Sequence, residues 1–138
     1  MSQPQQFDEV RLKAATAIFR LGYREYDRGL TVREEKPPRG WIVSAGKPDQ
    51  MVNPKRLRDA IRYFDIFLEL WPDLAGADGN ARTALNLKAI TLRALGELEA
   101  ARSLHAQVLA AAKQAGDKPM QEVSEEGIRY CDEHLQKN

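Results

Sequence analysis

His105, His134 and Cys131 are the chain's candidates for proton transfer, nucleophilic attack or metal ligation. Such chemistry needs a second group at a fixed spacing: a carboxylate to orient an imidazole, or paired His and Cys ligands around a metal. Neither histidine has a carboxylate or cysteine at a recognisable metal spacing. His105 is expected to fill a core position between helices. The lone Cys131 has no internal disulfide mate and falls in an amphipathic segment, so a half-buried structural thiol is expected. An enzyme would have to gather Glu25, Tyr26, His105 or His134 around one cavity, and no spacing in the sequence calls for that. Gly46, Lys47 and Pro48 lack the serine or threonine and the upstream glycine of a phosphate loop. The expectation is a non-enzymatic protein with no catalytic residues, no metal and no cofactor.

Charge narrows the partners. Lysine and arginine total 21 against 20 acidic residues, a net charge of +1 that supplies no long-range field for nucleic acid or an anionic membrane. The run Lys55, Arg56, Arg58, Arg62 is broken by Asp59 and Asp65 and reads as a solvated helix face. MSQPQQFDEV has neither a basic start nor an apolar signal core, and no run of about 18 apolar residues occurs. A cytoplasmic protein is expected, without nucleic-acid or membrane partners. At 138 residues and 43% hydrophobic content, residues 1–138 suit one domain that buries about two-thirds of its unfolded surface.

Helical periodicity dominates the chain. The apolar spacing predicts helices over about 8–29, 54–71, 81–95, 97–115 and 119–136. Asn53 supplies a cap and Pro54 suits a first helical turn, while Gly96 and Gly116 stop two helices and Pro119 opens the last. Helix one carries two apolar stripes, Val10, Ala14, Ala17, Ile18, Leu21 and then Leu12, Phe19, Tyr23, Tyr26, Leu30, which predict two packing partners. Residues 31–52, with Pro37, Pro38, Gly40, Gly46 and Pro48, are expected to form one long loop. Its apolar triplet Trp41, Ile42, Val43 is expected to be covered by the protein's own groove or open end, or else to stand as an exposed protein-binding handle.

Two segments share an order of residue types. In 59–72, Ala60 precedes Phe64, Phe67, Leu68 and Pro72; from Leu95, Gly96, Leu98, Ala101, Leu104, Val108 and Leu109 follow at comparable spacings. The hairpin 84–116 resembles a tetratricopeptide repeat, with Leu85 in the place of the usual tryptophan, Ala89 at the small crossing position and Leu92 at the tyrosine position. It departs at Lys88, His105 and Lys113. Residues 15–29 joined to 54–72 resemble a second repeat, with Leu21 and Gly22 as its Leu-Gly pair, interrupted by the 31–52 insertion. The resemblance implies an all-α fold of antiparallel hairpins stacked as a short solenoid, with the fifth helix as a cap.

It also implies a function. The first helix of each hairpin would line a concave groove, placing Arg82, Asn86, Ile90 and Arg93 against an extended peptide, Asn86 bonding its backbone and Arg93 a carboxylate. Trp41 and Ile42 complete the candidate partner-binding set. The expected partner is another protein or peptide, captured by an adaptor, chaperone or assembly factor. The second expectation is a self-associating structural module, a homodimer that buries incomplete repeats; a long connection costs little to close and leaves open whether helix one packs in its own chain or swaps into a neighbour.

Overall fold

The computed structural model describes residues 3–32, 38–44 and 47–136, which form five helices and one small sheet. Helix α1 (Gln3–Arg28) leads into strands β1 (Leu30–Val32), β2 (Ile42–Ser44) and β3 (Lys47–Val52). Helices α2 (Pro54–Leu70), α3 (Asn80–Ala94), α4 (Leu98–Ala115) and α5 (Lys118–Gln136) follow. The main departure in helix bounds is the start of α1, at Gln3 rather than near residue 8.

Local chemistry accounts for the helix ends. Asn53 Oδ1 accepts from Arg56 N at 3.2 Å, with Pro54 as the first helical residue. Gly116 ends α4 at φ 71°, a left-handed conformation open to glycine at little cost. Asp117 Oδ1 accepts from Met120 N at 3.2 Å and so caps α5.

The expected long loop is corrected. Across 30–52 the chain forms a three-stranded antiparallel sheet in the order β1-β3-β2, so the fold is mostly helical, close to the expected all-α class, with one small sheet added. Val32, Ile42, Val43 and Val52 are β-branched and suit a pleated surface. Pro48 sits in the central strand, but it falls at the register shift opposite Val43 and Ser44, where a missing N–H breaks no regular ladder. Pro37 and Gly46 lie outside the described residues.

That sheet restores the first hairpin. Leu30 pairs with Val52, so the insertion leaves and rejoins the helices at adjacent points. Asn53 N also donates to Gly29 O at 2.8 Å. α1 therefore lies along α2: the Phe19 ring stands 5.9 Å from Phe64 and 5.5 Å from Phe67. Gly22 lets the backbone approach closely, since a Cβ there would meet the Phe64 ring at 2.9 Å. Further along, α2 packs on α3, α3 on α4 and α4 on α5.

The core runs through these contacts. Phe64, Met51, Leu57, Val52 and Val108 are fully buried, as is Cys131, whose thiol burial pushes above its usual pKa. The outer stripe of α1 has no second partner among the described residues: Val10 is 67% and Leu21 42% exposed, and Ala14 and Ala17 are exposed beside them. The expectation of a partner along that whole outer stripe is corrected accordingly, while Ala15, Ile18 and Phe19 join one core cluster with Phe67 of α2 and Ala84 of α3. Among the described residues no helix is long and apolar enough to cross a membrane.

Candidate binding cleft

α3 and α5 run side by side in the same direction. At their starts Arg82 Nε pairs with Asp117 Oδ2 at 3.1 Å, and toward their ends the Arg93 guanidinium lies 4.5 Å above the Tyr130 ring. Between them opens a cleft of about 240 Å³ whose walls include Ile90 and Arg93 from α3, Val123, Glu126 and Tyr130 from α5, and Lys47 from the sheet. His105 of α4 and Gly127 form its deep side. A smaller pocket shares Lys47, Ile90, Arg93 and Tyr130 and continues past Tyr26 to Leu30, Ser44 and Gln50. The two make one groove from α5 across α3 to the end of α1.

Arg93 is the electrostatic centre of this groove. It is half-buried, and apart from its place over Tyr130 it makes no hydrogen bond or ion pair with a described residue. Burial raises the phenols of Tyr26 and Tyr130, and the Arg93 charge pulls both back. His105 is fully buried, with neither ring nitrogen hydrogen-bonded among the described residues. Burial first, and the Arg93 charge second, lower its pKa to about 4, so the ring is neutral at pH 7. A groove of this kind can bind an anionic group on a fixed guanidinium between aromatic and aliphatic walls. Among the described residues no group of His, Cys, Asp and Glu could hold a metal ion.

Of the α3 residues that the sequence singles out, Ile90 and Arg93 line this groove. Arg82 does not: it is 3% exposed, and besides Asp117 its Nη1 donates to Leu74 O at 2.9 Å and Gly76 O at 2.7 Å. It ties the α2–α3 linker to the α4–α5 corner, a structural task that occupies Nε and Nη1. Asn86 is 7% exposed, lines neither part of the groove, and its Oδ1 accepts no hydrogen bond. Both residues share the α3 face of Ile90 and Arg93 but lie toward the N-terminal end of the helix, which the packing closes. Trp41 is half-buried outside the groove lining, while Ile42 and Val43 are 51% and 39% exposed. The sheet is anchored instead by Met51, Val52 and Ser44.

Sequence reasoning missed Lys47, Glu126, Gly127 and Tyr130 as groove residues. Gly127 carried a signal, an isolated glycine inside an amphipathic helical pattern. Lys47 carried none, because its place depends on the sheet. Comparison with family models, curated proteins and solved structures found no match.

Proposed function

We propose that this chain is a non-enzymatic protein-interaction module that captures an extended peptide or a helix of another protein in the groove centred on Arg93. One observation carries the reading: a half-buried guanidinium with no carboxylate partner among the described residues, held over an aromatic ring in an open groove. Fully buried charges are normally paired within the protein, and a half-buried guanidinium left unpaired keeps donors open to a guest. An acidic group on the guest would supply the missing partner through charge-assisted hydrogen bonds. Tyr26, Tyr130 and Ile90 supply the apolar contact around it.

The tetratricopeptide-like reading belongs to the same proposal. The hairpin of α1 and α2 closes despite its insertion, the hairpin of α3 and α4 follows it, and α5 covers α4, an order compatible with two repeats and a cap. The groove would then be the concave side of the stack, occupied in part by the inserted sheet.

Selecting peptides from a random library against the full chain tests this. The reading expects selected sequences to share an acidic residue, and to bind at least about tenfold more weakly to an Arg93→Gln variant that melts like the parent. Peptides indifferent to Arg93, or mapping to Ile42 and Val43, would remove the groove from the account.

A second reading, self-association, is favoured by the exposed stripe Val10, Ala14, Ala17, Leu21. Light scattering across micromolar concentrations decides it. A constant monomer mass would eliminate it, while a dimer dissociated by Leu21→Glu would establish it.

A further inference from the structure

The α5 end of the groove carries charges of both signs that do not pair with one another, the half-buried Arg93 and the exposed Lys47 and Glu126. Arg93 and Lys47 stand on one side and Glu126 on the other, and none forms an ion pair with a described residue. The structure places beneath them a fully buried imidazole with both nitrogens unpartnered. That arrangement is costly: an unpaired buried polar group destabilises by about 1 to 3 kcal/mol, and a glycine within a helix by about 1 kcal/mol. The glycine is needed for the imidazole to lie there, since a Cβ on residue 127 would stand 2.6 Å from His105 Nε2. The surrounding packing offsets neither cost with a hydrogen bond.

We propose that the cleft above His105 is a binding site for a free, zwitterionic amino acid. Its carboxylate pairs with Arg93, assisted by Lys47, and its ammonium pairs with Glu126. Its side chain descends between Ile90 and Val123 toward His105. The imidazole, fully buried against Gly127 beneath the cleft floor and neutral at pH 7, adds no charge to repel the ammonium. A cleft of about 240 Å³ suits a guest of this size, below the roughly 300 to 1,000 Å³ of sites for drug-sized ligands. The second requirement, an ammonium group, separates this site from the peptide-binding reading, which asks only for an acidic group.

Calorimetric titration of the full chain with each of the twenty free amino acids tests the proposal, with the His105 ring proton followed by NMR. At least one should bind and shift that resonance. Its N-acetylated and its carboxamide forms should each bind about tenfold or more weakly, as should Arg93→Gln and Glu126→Gln variants that retain the parent melting temperature. In Glu126→Gln, acetylation should cost nothing further. Failure of every amino acid to move the His105 signal at about 20 mM, far above a millimolar dissociation constant, overturns the assignment. So does equal binding of the capped forms. Peptide binding without amino-acid binding overturns this site alone and leaves the groove reading standing; amino-acid binding without any peptide does the reverse.

Discussion

His105 occupies the volume that a side chain at position 127 would need: a Cβ on Gly127 would lie 2.6 Å from both Cε1 and Nε2 of the imidazole. The two residues come from α4 and α5, so this contact fixes how closely those helices approach beside the groove. Gly127→Ala in an exposed helix would gain about 1 kcal/mol from helix propensity. Here it is expected to destabilise instead, by about 1 to 3 kcal/mol, because the ring is enclosed and cannot swing away. Urea unfolding of the two proteins checks the sign, and a gain in stability would mean that the ring has room to move.

The same imidazole makes stability depend on pH. An unfolded chain protonates this histidine near pH 6.5, whereas the folded chain resists until about pH 4. The unfolded state therefore binds more protons between those values, so stability is lost as pH falls from about 6.5 toward 4 and is fully present above 6.5. Arg93 adds to the resistance, and Glu126 and Lys47 share the cleft. Glu97 is lowered from 4.5 by its pairing with Arg58, so its contribution is full above about pH 4.5 and is lost only as pH falls below it. His105→Leu should flatten the fall between pH 6.5 and 4.5, measured as denaturant midpoints. A slope unchanged in the variant would assign it to other groups.

Phe64 is the largest fully buried side chain and touches α1 from α2. Phe64→Ala is expected to cost about 3 to 5 kcal/mol, since it leaves a cavity against the rigid Gly22 backbone. Equilibrium unfolding measures it. A loss near zero would contradict the packing of the first hairpin.

Two arginine pairs separate structural from surface electrostatics. Arg82 is 4% exposed at its side chain and bonds Asp117 and two carbonyls, so Arg82→Leu should cost about 2 to 3 kcal/mol by leaving those acceptors short of donors. Arg58 and Glu97 form a two-pronged pair, Nη1–Oε2 at 2.9 Å and Nη2–Oε1 at 3.0 Å, but both are exposed. Arg58→Ala should lie within about 1 kcal/mol of the parent. Thermal melts of the two variants compare them directly, and similar losses would refute the distinction.

Much of the helical frame is legible in the sequence because its signals are local. Asn53 and Pro54 mark the start of α2, Gly116 ends α4, and the spacing of Leu57, Ala60, Phe64 and Phe67 fixes the face α2 buries. The sheet is not legible, because its central strand contains Pro48 and its pairing joins Leu30 to Val52 across the whole insertion. The groove is half legible. Ile90 and Arg93 follow from their helix face, whereas Arg82 and Asn86 share that face but lie nearer the closed corner at Asp117. Periodicity gives the side of a helix, not how far along it a neighbour covers it. Tyr130 and Glu126 enter the groove because α5 returns alongside α3, a relation between elements that their own patterns do not contain.

The most direct test of the account follows the guanidinium resonances of Arg93 and the ring resonances of Tyr26 and Tyr130 by NMR, as a library-selected acidic peptide is added to the full chain. Groove capture predicts that the Arg93 Nε–H signal shifts and sharpens while both tyrosine rings move, with the α1 signals at Val10 and Leu21 unchanged. An Arg93 signal that stays fixed at saturation, while α1 or Ile42 responds, would contradict it.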